Sequence, residues 1–203
     1  MSEVIFYTNP QSRGRIVRRM LEECGATYRT EVLDHAGMKS PEYLLLNPMG
    51  KVPALVYDGR VVTESAAIIA FLADAYPEAK LAPPPAERQD YYRWLFFAAG
   101  PLEAAVTDKA LGVSVKPEQR GFVGYGSFDL VVETLSQAVS KAPYITGDTY
   151  TAADVFVASH IDYGLRFGTL PDRPELRSYL ERVSSRPAWQ RAAELDNALM
   201  AGN

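Results

Sequence analysis

The chain is poor in the residues that most often carry chemistry. Of its 203 residues one is a cysteine, Cys24, and two are histidines, His35 and His160. A single thiol excludes a disulfide framework and any cysteine-rich zinc module. Two histidines far apart in sequence give no basis for a His-centred metal site, so no metal is expected. Long apolar runs are also missing. The longest candidate, Ala66–Ala73, stops at Asp74, whereas a membrane span needs about 18 apolar residues or more. No basic stretch leads into an apolar block at the start, so no secretory signal is read and the expected compartment is the cytoplasm. A basic excess is lacking as well: 21 Lys and Arg face 25 Asp and Glu, a net charge of −4. That balance disfavours nucleic acid as a partner. Fourteen glycines and fourteen prolines are too few for a fibrous or low-complexity chain.

What is present falls into two parts. Val4–Thr8 is a β-branched and aromatic run ended by Asn9-Pro10, a turn signal. Ile16, Val17, Met20, Leu21 and Cys24 recur at the spacing of one helix face, with Gly25 placed to stop it. Tyr28–Leu33 alternates as a second strand. Pro53–Tyr57, Asp58-Gly59 and Arg60–Thr63 read as a hairpin with a two-residue turn. Glu64–Tyr76 reads as a helix. Residues 77–86 hold four prolines in ten positions, three of them consecutive, which neither a helix interior nor a central strand tolerates. Beyond that point the signals are helical: Glu87 to about Leu111, Pro117 to about Lys141, Thr151 to about Phe167, Pro174–Ser184 and Pro187 to about Met200. Thr151-Ala-Ala-Asp154 has the form of a capping box, with Tyr150 and Val155 placed for a hydrophobic staple. The division expected is an α/β domain over 1–78, a linker over 79–86 and an all-α domain over 87–203.

Three loops of the first domain offer polar groups. Gln11-Ser12-Arg13-Gly14-Arg15 lies between the first strand and first helix, where unpaired amides and the helix dipole favour an anion. Ser12 reads there as an N-cap or as a hydroxyl donor to a ligand. Arg13, Arg15, Arg18 and Arg19 form a basic cluster, read as a solvated or interdomain face with ligand contact as the rival. Asn47-Pro-Met-Gly-Lys-Val-Pro-Ala-Leu-Val56 ends in a strand opened by Pro53, and Val52–Pro53 is a candidate cis bond. At Thr63-Glu64-Ser65, a capping arrangement competes with recognition of an α-amino acid end, Ser65 and the helix amides taking the carboxylate and Glu64 the ammonium.

NPMGKVPALV followed by TESAAII, TAADVFVAS, and SYLERVSSRPAWQRA together resemble the soluble glutathione S-transferases over essentially the whole chain. The resemblance implies a thioredoxin-like α/β N-terminal domain and an all-α C-terminal domain. It implies glutathione as co-substrate, a small hydrophobic electrophile as second substrate, a role in detoxification, and a homodimer. It places glutathione on Lys39, Lys51, Val52, Pro53, Glu64 and Ser65, with Pro53 cis. It assigns thiolate stabilisation to Ser12, as in the Ser-type classes, with Tyr7 as second choice. The β- and ω-like classes carry a cysteine where this chain has Arg13, and Cys24 sits on the apolar helix face, so no protein–glutathione mixed disulfide is expected. Tyr91, Trp94, Phe97, Tyr163 and Phe167 are candidates for an apolar second pocket, although core packing explains aromatic residues at helical spacing as well. Trp94, Phe96 and Phe97 are taken as exposed apolar residues compatible with a dimer. Other readings are a different glutathione-dependent reaction (dehalogenation, isomerisation or peroxide reduction) and a non-catalytic glutathione-binding protein.

Overall fold

The computed structural model describes residues 2–201. They form two compact units: one holds the chain up to Leu81 together with Arg186 onward, the other Ala82–Ser185. The first unit contains a four-stranded sheet in the order β2-β1-β3-β4, with β1 Val4–Thr8, β2 Arg29–Val32, β3 Ala54–Tyr57 and β4 Arg60–Thr63. β1 pairs in parallel with β2 and antiparallel with β3, and β3 pairs antiparallel with β4. The hairpin turns at Asp58 and Gly59, both at positive φ (47° and 75°), as a two-residue turn of the mirror-image type requires.

Helix α1 (Gly14–Glu23) joins β1 to β2, and α3 (Ser65–Ala75) follows β4. Val4, Phe6 and Thr8 of β1 are buried while Ile5 and Tyr7, on the other face, are half-buried. On the buried side Arg18 of α1 lies over the Phe6 ring. Phe71 of α3 meets the Tyr57 ring edge-on. A third helix, α2 (Pro41–Leu46), lies between β2 and β3 and was not anticipated. Its start is capped by Ser40, whose Oγ accepts the Tyr43 amide at 3.2 Å.

The last helix, α9 (Pro187–Ala201), belongs to the first unit, whereas the sequence division placed it in the helical domain. Ion pairs explain the difference. Arg18 donates to Asp196 at 2.7 Å. Arg186, just before α9, grips Glu23 through two bonds of 2.7 Å. Arg191 pairs with Glu22, and the Arg19 guanidinium stacks 3.6 Å from the Trp189 ring centroid. Arg15, Arg18 and Arg19 are consequently buried, so they are not a solvated face.

The second unit contains α4 (Gln89–Phe97), α5 (Glu103–Ala110), α6 (Phe128–Lys141), α7 (Ala152–Arg166) and α8 (Pro174–Ser184). The expected helix over 87–111 is two helices joined by a π turn at Ala98–Leu102 that contains Pro101. A proline inside a helix removes one donor and crowds the preceding turn, and the wider π turn accommodates it. The expected helix over 117–141 starts only at Phe128. Gly121, Gly124 and Gly126 interrupt the segment before it, and Gly126 stands at φ 68°. Ser127 then caps α6, accepting the Leu130 amide at 3.3 Å.

α7 is buried nearly all round and is the centre of this unit. Its capping box is formed: Asp154 Oδ2 accepts the Thr151 amide at 2.9 Å. The other carboxylate oxygen accepts the Ile145 amide at 2.8 Å and the Tyr179 hydroxyl at 2.7 Å. Asp154 therefore ties the loop before α7 and helix α8 to one buried point. Among the described residues no helix is long and apolar enough to cross a membrane.

Candidate functional site

Sheet register brings the expected loops to one end of the first unit. Tyr7 pairs with Ala54, and Ala54 with Thr63. The chain leaving β1 therefore lies beside the chain entering β3 and the chain leaving β4. Thr8 also pairs with Val32, and the Leu33 amide donates to the Thr8 carbonyl at 2.8 Å. The loop after β2, which carries Lys39, starts from the same edge. Helices α1 and α3 both begin there, so two positive dipole ends face one region, a setting suited to anionic groups, although the first amides of α1 are already engaged, that of Gly14 by Ser12 Oγ and that of Arg15 by the Ser12 carbonyl.

The first loop is tightly organised around Asn9. Its Oδ1 accepts the Gln11 amide at 2.9 Å and its Nδ2 donates to the Leu33 carbonyl at 2.9 Å. The Ser12 hydroxyl donates to the Asn9 carbonyl at 2.7 Å, and its oxygen accepts the Gly14 amide at 3.0 Å. Ser12 thus stands as a half-buried cap at the mouth of α1.

The loop before β3 repeats the device. Asn47 Oδ1 accepts the Met49 amide at 3.1 Å, and its Nδ2 donates to the Lys51 carbonyl at 2.8 Å. The Tyr43 hydroxyl donates to that same carbonyl at 2.6 Å, and burial holds its pKa up at about 12. With both the Asn47 amide and the Tyr43 hydroxyl on one carbonyl, the Lys51–Val52 peptide is fixed just before the cis Val52–Pro53 bond. Gly50 stands at φ 57°, and a Cβ there would lie 2.7 Å from the Met38 carbonyl oxygen and from Lys39 Nζ. Glycine is the residue that lets the Lys39 loop lie against this one, and Lys39 Nζ donates to the Met49 carbonyl at 3.2 Å.

At the third loop Glu64 adopts φ 69° and ψ 120°, a conformation a side chain rarely takes and that costs about 1–3 kcal/mol unless its surroundings enforce it. Glu64 is exposed and makes no side-chain cap bond to α3, while Ser65 opens that helix.

The family description "Glutathione S-transferase, N-terminal domain" matches residues 13–75, and "Glutathione S-transferase, C-terminal domain" matches residues 125–187. Glutathione S-transferase 3 of Schizosaccharomyces pombe is 30% identical over 218 aligned positions, covering 97% of this chain and 90% of that protein. The chain belongs to the glutathione S-transferase family. A second relative, a probable maleylacetoacetate isomerase of Caenorhabditis elegans, is 31% identical over 75% of this chain and 73% of its own length. Among solved structures, the Phanerochaete chrysosporium glutathione transferase URE2P6 in complex with oxidized glutathione superposes with a TM-score of 0.81 at 26% identity, covering 97% of both chains. The thioredoxin-like unit and the helical unit are the two parts of this family's architecture.

The fold brings Ser12, Lys39, Lys51, Val52, Pro53, Glu64 and Ser65 to one end of the sheet of this transferase. Tyr7 stands apart from Ser12 in its surroundings: it lies on β1 itself, its ring tilted against Tyr43 with centroids 5.6 Å apart. Cys24 caps the far end of α1, its thiol directed to the Leu72 carbonyl. Burial pushes that thiol from 9.0 to about 12, the opposite of what a nucleophilic cysteine needs. Tyr91 and Trp94 are core residues of the helical unit. Phe97 and Tyr163 are half-buried, and Tyr163 stacks on the exposed Phe167 ring. Trp94 is therefore not an exposed residue of α4. The face with Tyr91, Trp94, Leu95 and Ala98 turns inward, leaving Tyr92 and Phe96 as its exposed rings. Sequence reading marks Asn9 only as a turn signal and Asn47 only as the start of its loop, and gives Tyr43 no role. The dipeptide Asn-Pro, present at 9–10 and again at 47–48, is the signal that marks both asparagines, because an Asn side chain that accepts the amide two residues on builds such a turn.

Proposed function

We propose that this enzyme binds glutathione along the loop end of its first unit, lowers the pKa of the glutathione thiol with the Ser12 hydroxyl, and delivers the thiolate to a small hydrophobic electrophile. The observation that carries the reading is the meeting of four polar loops and two helix N-termini at one end of the sheet. The residues fit the ligand's chemistry. Glutathione has an amino acid end, which suits the Glu64 carboxylate together with Ser65 and the α3 amides. Its cysteinyl part suits the Val52 backbone beside Pro53. Its glycyl carboxylate suits Lys39 and Lys51.

Magnitudes limit what Ser12 can do. A cysteine thiol titrates near about 8.5, and the thiolate is the nucleophile. A hydrogen bond to a charged group contributes about 1.5–3 kcal/mol and a helix dipole about 0.3–1. The Ser12 hydrogen must first leave the Asn9 carbonyl, which costs about 1 kcal/mol. The remainder lowers the thiol pKa by about 1–2 units.

Ser12→Ala, which leaves the helix dipole in place, raises the pKa of the bound thiol by about 0.5–1.5 units and lowers turnover at neutral pH, read from the ultraviolet absorbance of the thiolate against pH. Tyr7→Phe leaves it in place. The reverse result transfers the role to Tyr7. The 31% identical relative named as a probable maleylacetoacetate isomerase supports a second reading, glutathione-dependent isomerisation on the same site. A panel of an aryl halide, a hydroperoxide, a disulfide and an isomerisable cis-enone separates the two, and failure to bind a glutathione column would sink both. We also take the enzyme to act as a homodimer in the cytoplasm, in detoxification. Exposed Tyr92 and Phe96 on α4 support an interface, and sedimentation at the mass of one 22.4 kDa chain would refute it.

A further inference from the structure

We infer that Arg15 and Asn197 are positioning residues for Ser12: the C-terminal helix holds the loop that places the serine oxygen. This rests on the Ser12 reading above. The Pro10–Gln11 peptide, just before Ser12 in the chain, is gripped on both edges. Its carbonyl accepts Arg15 Nε at 2.6 Å, and its amide donates to Asn9 Oδ1 at 2.9 Å. The adjacent carbonyl, that of Asn9, is the one to which Ser12 Oγ donates. The place of the Ser12 oxygen, from which its hydrogen turns to a bound thiolate, is thus set by two successive peptide planes, and Arg15 fixes one of them.

Arg15 is in turn fixed from α9. Its Nη2 donates to Asn197 Oδ1 at 2.8 Å and lies 3.6 Å from Met200 Sδ. Arg15 is only 8% exposed. A planar guanidinium held at both Nε and Nη2 keeps one orientation, whereas one held only at Nε can swing about its stem. The sequence Asn197, Arg15, Pro10 carbonyl, Ser12 runs entirely within the first unit. α9 is held in place independently by the Arg18–Asp196, Arg186–Glu23 and Arg191–Glu22 pairs, so losing Asn197 leaves the helix docked. Asn197 itself is exposed, and its truncation removes no core contact.

The test compares bound-thiol titration in the wild type, Asn197→Ala, Asn197→Asp and Ser12→Ala, with the glutathione dissociation constant and melting temperature measured alongside. Asn197→Ala raises the bound-thiol pKa by about 0.5–1 unit, a three- to tenfold loss of thiolate at fixed pH, with little change in glutathione affinity or melting temperature. Asn197→Asp keeps an acceptor oxygen against Arg15 and restores the titration. If Ser12→Ala shifts the thiol and Asn197→Ala does not, or if Asn197→Asp fails to restore it, the positioning role is wrong and the Ser12 reading stands. If Ser12→Ala itself leaves the thiol unmoved, both fall.

Discussion

Helix α1 meets the sheet tightly at Gly14, and the contact supports a quantitative prediction. Gly14 opens α1 directly over the end of β1. A Cβ at this position would lie 1.9 Å from Thr8 Oγ1, 3.1 Å from Thr8 Cβ and 3.2 Å from Ser12 Oγ. Thr8 is fully buried, and its Oγ1 has no hydrogen-bond partner among the described residues. The hydroxyl cannot move aside cheaply, because rotating a β-branched side chain carries its methyl group into the same space. Overpacking of this kind costs about 1–3 kcal/mol, and an overlap beyond about 1 Å with a buried neighbour belongs at the upper end. Alanine returns at most about 1 kcal/mol of helix propensity. Gly14→Ala is therefore expected to destabilise the protein by about 2 kcal/mol in urea titrations.

A double-mutant cycle identifies the cause. Thr8→Ala deletes the clashing oxygen and forfeits no hydrogen bond, so Gly14→Ala in that background costs nearly nothing. Thr8→Val keeps the branch, so the full penalty persists. Costs of Gly14→Ala that agree within about 0.5 kcal/mol in the wild type and in the Thr8→Ala variant would mean independent sites and would refute the packing argument. The same substitution presses on Ser12 Oγ, so the bound-thiol pKa of Gly14→Ala should rise in parallel with its loss of stability.

Two further outcomes follow from buried polar groups. Asp154→Ala strands the Ile145 and Thr151 amides and the Tyr179 hydroxyl, and is expected to cost about 3–5 kcal/mol by urea denaturation, whereas Tyr179→Phe, which removes one donor, costs about 1 kcal/mol; equal losses would contradict the shared-acceptor account. Cys24 keeps its proton in the folded state above the pH at which the unfolded chain loses it, from 9.0 to about 12. The unfolded state then binds fewer protons, so stability falls as pH rises from about 9 upward, and Cys24→Ala removes about 1 kcal/mol of that loss between about pH 9 and 10. A pH profile unchanged by the substitution would show that the thiol is not desolvated.

Sequence pattern carried the first unit well where the signals are local. The alternation over Val4–Thr8, the Asp58-Gly59 turn and the helix stop at Gly25 each depend on a few adjacent residues, and each appears in the structure at the expected place. Helix α2 escaped because six residues span fewer than two turns, too few for a 3.6-residue period to show. Only its Ser40-Pro41 start carried a signal. The late start of α6 was legible in principle, in three glycines within six positions, yet Pro117 reads equally well as a helix start and did begin a short 3-10 turn. The backbone conformation of Glu64 has no sequence signal of its own, because it is imposed by the strand and helix on either side.

The arginines of α1 mark where local reading ends. Basic residues at the start of a helix oppose its dipole, and on that ground they belong on a solvated face or beside an anion. The group that resolves the conflict lies almost at the other end of the chain. Asp196 takes Arg18, and its carboxyl, raised by burial, is drawn back down by Arg18, Arg15 and Arg19. The pairs run in opposite order along the two helices: residues 15 and 18 meet 197 and 196, while 22 and 23 meet 191 and 186. α1 and α9 are thus antiparallel, and the negative end of the α9 dipole lies beside the positive start of α1. Arg15, Arg18 and Arg19 are engaged inside the first unit, so in the proposed reading the thiolate at the α1 start relies on the helix dipole and on Ser12. That separation lets α1 bury a basic stripe against α9 while its first turn stays at the loop end of the sheet.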